Sequence, residues 1–423
     1  MSKSVLRTID ACRICGSAEL TSVIDLGEQY IATHFVTSEV PDFLTRRYPL
    51  ELVRCASLTG CGLVQLRHTV HPSALYFDYG YRSGINQTMR SNLADLAVEI
   101  EDYVGVKKGD TVLDIGCNDG TLLGSYRTSG LDKIGIDPSE NVVALAREKG
   151  LEVITDYFSA KAYVRARPHK KAKVVTSIAM FYDLERPSDF VGDVASIMTD
   201  DGVWIIELSY LPFMLRNNSY DSICHEHLEY YSLKPLEWML GKAGLGVDKV
   251  EFNDINGGSF RVFIRKLPIG KPDDATALER VRESERSLGL DSDLPFMSFR
   301  QNVSRVRHDL RRLLADVQGG GEVVYVYGAS TKGNTILQFC GVDEHLVPKA
   351  ADRNPFKWGR RPLGTNIEVI SEEQARAERP DYFLILAWHY LEEFKKREAA
   401  FFSRRGKFIV PLPEVRVIGQ ENL

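Results

Sequence analysis

Apolar residues fall along this chain in short runs, each ended by a turn signal and followed by residues at helical spacing. Thr111–Ile115 (TVLDI) leads into a glycine-rich turn, and a helical pattern opens near Thr121. LDKIGIDPSENVVALAREKG repeats strand, acidic residue and helix, and LEVITDYFS, KVVTSIAMFYDL and GVWIIELSY supply further strand candidates at βα spacing. This alternation predicts a parallel, doubly wound sheet. Val250–Lys266 reads as a hairpin about a Gly-Gly turn, at the antiparallel end of that sheet. Upstream, Leu93–Val104 has helical spacing, and residues 1–75 read as short strands and turns. Downstream, Lys271–Gln318 is charged and helical. GGGEVVYVYGASTKGNTILQF then starts a second strand, Gly turn and helix, continued by LVPKAADRN, YFLILAW and KFIVPLP. The two starts predict two Rossmann-like α/β domains in tandem.

The 423 residues exceed the ~250–300 that one core organises. With 44% hydrophobic and 26% charged residues, the composition excludes a collagen or a largely disordered chain. A net charge of -5 counts against nucleic acid as a partner. No apolar run approaches the ~18 residues of a membrane helix, and MSKSVLRTID has no apolar signal core. No membrane partner and a cytoplasmic location are therefore expected.

Seven cysteines, an odd number, argue against a disulfide framework. Cys12 and Cys15 form C-x-x-C, a chelating spacing. Cys55 and Cys61 make a second, wider pair, with Ala56–Gly60 between them as a looped-out insertion. Four thiolates predict a closed, structural zinc site with no position left for water. A redox C-x-x-C would need a thioredoxin-like strand before it, and none is visible.

VLDIGCNDG holds Asp114, Gly116, Asn118, Asp119 and Gly120 between strand and helix. Asp137 follows about twenty residues on, where an acidic group can accept ribose hydroxyls. The loop lacks G-x-G-x-x-G, so no pyrophosphate cradle is evident. An acidic loop suits a cofactor with an amino-acid end, and this one looks like the S-adenosylmethionine (SAM) loop of class I methyltransferases. Asp156 is placed near the adenine. NAD is the alternative cofactor.

YDSICHEHLEYYS, Tyr220–Ser232, is dense with reactive groups. His225 and His227, at i and i+2, do not share a helix face. A His with a neighbouring Glu226 reads as a general base oriented by a carboxylate, since a histidine's ordinary pKa suits proton transfer near neutrality. A metal pair or a solvated helix start are the rival readings. In the second Gly loop, Lys332 and Asn334 stand at a strand-to-helix turn that favours an anion. Asn354, Lys357 and Arg360 follow the next strand, the two cations as diphosphate candidates, and His389 follows YFLILAW in the same crevice.

CRICG, CGLVQL, the YxYxSG stretch, DIGCNDGTLL, HEHLEYYS, YGASTKGN and DRNPFKWGRRPLG occur in one order over nearly the whole chain. Together they resemble the SAM-dependent sugar C-methyltransferases of branched deoxysugar biosynthesis, such as the C-3′-methyltransferases for tetronitrose and kijanose. The resemblance implies a zinc-binding domain (1–75), a central class I SAM domain (76–266) and a C-terminal α/β domain (267–423) that helps hold a nucleotide-sugar. It implies a TDP- or GDP-linked 4-keto-6-deoxyhexose as substrate, deprotonated beside its ketone and methylated at carbon, most simply C-3. His227 is then the leading base, Glu226 its positioner or a sugar ligand, and His225 a donor to the ketone. Tyr79, Tyr81 and Ser83 would fold over SAM or sugar, and Cys224 and Tyr230 would flank the substrate. Two departures stand out. Cys224 occupies the position before HEH where the family often has Tyr. Tyr182 and Asp183 stand in a segment where the family has a second histidine, as candidate enolate donor and base. The rivals are an O- or N-methyltransferase, a non-catalytic SAM or nucleotide scaffold and, more distantly, a zinc-ribbon nucleic-acid binder.

Overall fold

The computed structural model describes residues 5–37, 45–75, 82–84, 87–268 and 275–422. Thr111–Ile115 and Ala172–Ile178 are buried almost throughout, as expected of strands with helices on both faces. They sit in a seven-stranded sheet ordered Leu245–Asn253, Ser259–Lys266, Met198–Ser209, Ala172–Ile178, Thr111–Ile115, Asp132–Ile136, Glu152–Ile154. The last five pair in parallel and the Leu245–Lys266 hairpin is antiparallel. A ring cluster of Phe181, Phe190 and Trp204 fills one side.

The second unit is a six-stranded sheet, Glu368–Ser371, Lys349–Asp352, Val324–Tyr327, Tyr382–Ile385, Lys407–Val410, Arg416–Ile418, parallel except at its last strand. The charged helical stretch resolves into Ala275–Leu288 and Leu294–Gly319. In the latter, Phe296, Phe299, Val303, Val306, Leu310, Leu314 and Val317 are buried at three- and four-residue spacing. At 1.5 Å per residue its 26 residues make a strut of about 39 Å. It ties the N-terminal sheet to the C-terminal one: Arg300 donates to the carbonyls of Ser22 and Val23.

The N-terminal domain is not a separate knuckle. Its four-stranded sheet runs Leu20–Gln29, Tyr48–Cys55, Val64–Leu66 and then Glu229–Tyr230, a two-residue strand that belongs to the HEH segment. Phe35–Val36 likewise pairs with Arg361–Pro362 of the C-terminal domain. Backbone pairing thus crosses both domain boundaries read from the sequence. No helix among the described residues is long and apolar enough to cross a membrane.

Candidate active site

The four cysteines of the N-terminal domain converge, their sulfurs all within 4.8 Å of one another. Cys12 and Cys61 Sγ are 3.5 Å apart, as are Cys15 and Cys55. A disulfide needs about 2.05 Å, whereas sulfurs about 2.3 Å from a central zinc stand about 3.8 Å from each other. All four are free thiols. The hydrogen bond from Cys61 already holds Cys12 down at about 5. The set fits a closed structural zinc site. The wide knuckle closes through a turn in which Gly60 N–H meets Ser57 O; a Cβ on Gly60 would stand 2.8 Å from Cys55 Sγ.

After strand Thr111–Ile115 the chain turns through Gly116, Asn118 and Gly120, all at positive φ (72°, 52° and 72°). This strand lies between Asp132–Ile136 and Ala172–Ile178, the point where strand order reverses and open α/β sheets bind ligands. A cavity of about 350 Å³ opens there, of the size of small-molecule sites. Asp114, Gly116, Asn118, Asp137, Asp156 and Ser83 line it. Asp137 accepts the N–H of Asn118 (3.0 Å) and of Ser139 (2.8 Å), which fixes its carboxylate with lone pairs to spare for ribose hydroxyls. Asp114 accepts the Thr176 hydroxyl at 2.6 Å, and burial pushes it up to about 7. These features fit SAM, whose cationic end would draw that proton off.

Asp119 and Gly120 do not line the cavity. Asp119 accepts the Thr121 hydroxyl (2.6 Å) and, through Oδ2, the Gly84 N–H (3.0 Å). Gly120 lets strand and helix pack: a Cβ there would meet Leu151 at 2.3 Å. Ser83 N–H donates to Asn118 Oδ1 (3.0 Å), so residues 82–84 are tied down on the loop. Tyr79 and Tyr81 lie outside the described residues.

The same cavity is also lined by Asp183 and Glu226. His227 Nδ1 is 2.8 Å from the Ser222 carbonyl. A carbonyl only accepts, so the ring proton sits on Nδ1 and the lone pair on Nε2. The ring packs on Tyr182, centroids 4.4 Å apart. Burial, with the Lys332 charge acting the same way, pushes His227 down to about 4, leaving it neutral. Neither His227 nor Tyr182 lines the cavity, but Glu226 and Leu228, the chain neighbours of His227, do.

His225 turns the other way. Its Nε2–H donates to Tyr48 O (3.2 Å) and its ring meets the Tyr48 ring edge-on. Glu226 Oε1 accepts the Thr33 hydroxyl, while Oε2 is buried without a partner. Asp183 Oδ1 is also buried without a partner; burial, then the charges of Glu226 and Glu229, push its carboxyl well above the usual range. Cys224 is 1% exposed, with burial raising its thiol. Tyr230 hydroxyl donates to Ser222 O (3.2 Å), supporting the same carbonyl that His227 uses.

From the C-terminal sheet, Lys332 Nζ donates to Asn256 O (2.7 Å), and Asn256 lines the cavity. Asn334 donates to Ala32 and Leu363 carbonyls, leaving its buried Oδ1 unpartnered; His389 Nδ1 is likewise buried and unpartnered. Lys357 is engaged by Ala329 O (2.6 Å) and Asp352 (3.4 Å). Arg360 donates to Phe35 O and lies over the Phe356 ring at 3.9 Å. Asn354 accepts the Phe356 N–H and caps the turn. These last three are thus occupied with internal contacts.

Sequence reasoning missed Thr33, Asn256 and the clamp on the segment before HEH. There Trp388 donates to Asp221 (3.0 Å) and Thr335 to Ile223 O (3.1 Å). No motif marks such contacts, since each joins positions far apart in the chain.

Family models match the chain in three consecutive stretches: a zinc binding domain at residues 12–76, a methyltransferase domain at 81–250 and a C-methyltransferase C-terminal domain at 254–413. The chain is 33% identical to C-methyltransferase NovU of Streptomyces niveus, over 99% of each. It is 25% identical to a ubiquinone biosynthesis O-methyltransferase of Hydrogenovibrio crunogenus, over 34% of this chain and 67% of that one. Among solved structures it is similar to magnesium protoporphyrin IX methyltransferase from Synechocystis PCC 6803 with bound SAM, at 16% identity and a TM-score of 0.33, over 44% of this chain and 88% of that one. Matched end to end by NovU and by all three modules in order, the chain belongs to the C-methyltransferase family and is a SAM-dependent enzyme with an N-terminal zinc-binding domain.

Proposed function

We propose that the enzyme methylates a nucleotide-linked 4-keto-6-deoxyhexose at C-3, in the making of a branched deoxysugar. The observation that carries this reading is one cavity lined by two unlike sets of groups. Ribose-type acceptors, Asp137 and Asp156, line it after the first strands of the SAM domain, and so do the carboxyl-bearing residues Asp183 and Glu226 of the catalytic segments. Glu226 is followed directly by a neutral histidine with its lone pair on Nε2. Bound SAM supplies an electrophilic methyl group on a sulfonium. The chain's own groups do the rest. His227 accepts the proton alpha to the C-4 ketone at Nε2. The electron pair of that C–H bond becomes the enolate, whose C-3 takes the methyl. Glu226 holds a sugar hydroxyl through Oε2. Zinc has no part in the chemistry; its four thiolates hold the N-terminal sheet. Lys332 supplies a cation for the diphosphate, the unpartnered Asn334 Oδ1 an acceptor for a hydroxyl or N–H of the nucleoside, and His389 Nδ1 a further hydrogen-bonding group on that side. The sequence resemblance to sugar C-methyltransferases supports the same class of substrate.

The test is methyl transfer from labelled SAM to TDP- and GDP-4-keto-6-deoxyhexoses and their 4-hydroxy counterparts. The reading expects a mass gain of one methylene for 4-keto substrates only. Transfer to 4-hydroxy sugars at equal rate points to O-methylation and overturns it.

A further inference from the structure

We propose that the Asp183 carboxyl, in its acid form, donates the hydrogen bond that holds the substrate's C-4 oxygen as it turns into the enolate oxygen, and that it is not the base. The inference rests on the 4-keto sugar reading above. Asp183 ends the turn Phe181–Asp183 that follows strand Ala172–Ile178, and its N–H to Met180 O bond (3.1 Å) fixes the turn. Asp183 lines the cavity, as do the apolar Met180, Leu184 and Leu228. Its Oδ1 is buried and meets no hydrogen-bonding group among the described residues.

Burial is the first cause that favours the protonated form, and the charges around the carboxyl act the same way. Glu226 and Glu229 face it from the HEH segment, and both add to the cost of ionising Asp183. Cys224 and Tyr230 on the same segment are neutral at ordinary pH, their thiol and phenol raised by burial. His227, across Tyr182, is neutral as well. The guanidinium beside Glu229 is spent elsewhere: Arg13 stands 3.7 Å from Glu229 and bonds Gln65, Leu66 O and Thr69. Among the described residues no lysine or arginine pairs with Asp183. A carboxylate without a cation, beside two others in an apolar wall, takes up a proton. The acid form has one O–H to give at the wall of the cavity, and Glu226, the carboxyl that faces it across that wall, already accepts from Thr33. A preorganised donor in such a place stabilises charge developing on oxygen far better than water does.

The experiment is solvent deuterium exchange at the carbon beside the ketone of a TDP- or GDP-4-keto-6-deoxyhexose. It is run with S-adenosylhomocysteine so that no methyl is transferred. Asp183→Asn keeps a donor and cannot be a base; Asp183→Ala and Asp183→Ser, two independent truncations, lack a donor of that reach. The expected result is exchange within about tenfold of the unaltered enzyme for D183N and a loss of about 10²–10³-fold for D183A and D183S, with SAM affinity kept by all. The alkaline decline of exchange, set by ionisation of the acid, should vanish in D183N. D183N as inert as D183A, or all variants as fast as the unaltered enzyme, overturns the inference alone. No exchange in the unaltered enzyme on any keto sugar overturns the substrate reading and the inference with it.

Discussion

Zinc removal should disconnect the HEH segment while sparing the SAM loop. Besides the pairing of Glu229–Tyr230 with Val64–Gln65, three hydrogen bonds among the described residues hold that segment from the zinc-bearing domain: Leu66 N–H to Leu228 O (2.8 Å), His225 to Tyr48 O (3.2 Å) and Thr33 to Glu226. At about 0.5–1.5 kcal/mol each they amount to about 1.5–4.5 kcal/mol. If the site's geometry depends on them, that range is a loss of about 10- to 2,000-fold in turnover. The SAM loop takes its support elsewhere, from Thr176, Ser139 and residues 82–84. Cys61→Ser, or chelation with metal analysis alongside, should therefore cut methyl transfer by that factor with SAM affinity changed less than about threefold. Calorimetry and single-turnover transfer read the two separately. Equal loss of both would mean that zinc supports the whole fold. Full transfer without zinc would mean that the N-terminal sheet does not position the segment.

Other consequences can be checked alongside. Gly84→Ala places a Cβ 2.4 Å from Asp119 Oδ2 and opens an N–H to carboxylate bond worth about 1.5–3 kcal/mol; SAM affinity should fall about 10- to 150-fold, and unchanged affinity would deny residues 82–84 a role in holding it. His227→Gln should lower turnover about 10²–10⁴-fold with SAM still bound, and near-normal turnover would remove His227 as base. Because His227 is held at about 4, its contribution to stability is complete above the ordinary histidine range and lost as pH falls through about 4. Asp114 runs the opposite way. Held up at about 7, it contributes stability that is present below the ordinary carboxylate range and lost as pH rises through about 7. A cationic ligand reverses that preference, so SAM should raise the melting temperature more at pH 8 than at pH 6, and Asp114→Asn should equalise the two shifts; a pH-independent shift in the unaltered enzyme would contradict this.

Local chemistry made much of the fold and site readable in the sequence. The zinc thiols announce themselves by spacing, the SAM turn by glycines between a buried strand and a helix, and the Leu245–Lys266 hairpin by alternation about Gly-Gly. Helix Gln87–Val104 begins earlier than its apolar spacing suggests, since its first turn is polar. The union of Glu229–Tyr230 with the zinc-domain sheet could not be read, because two residues carry no period. For the same reason spacing alone did not separate His225, turned to Tyr48, from His227, two residues on; only the family resemblance gave them different roles. Lys357 and Arg360 looked like phosphate ligands by composition; the first is held by Ala329 within the C-terminal sheet, and the contact of the second with Phe35 depends on that sheet meeting the N-terminal domain, a tertiary fact. Asp183 was visible as a departure from a family pattern, but the carboxylates and part of the apolar wall around it come from the HEH segment, far along the chain.

Where the methyl group lands tests the account most directly. Methyl-¹³C SAM and a nucleotide-linked 4-keto-6-deoxyhexose, with the product read by carbon–carbon coupling and long-range proton correlation, will report it. The account predicts a labelled methyl bonded to C-3, with the ketone intact at C-4 and solvent deuterium absent from C-3. A labelled methyl on oxygen, or on a carbon not adjacent to the ketone, would contradict it.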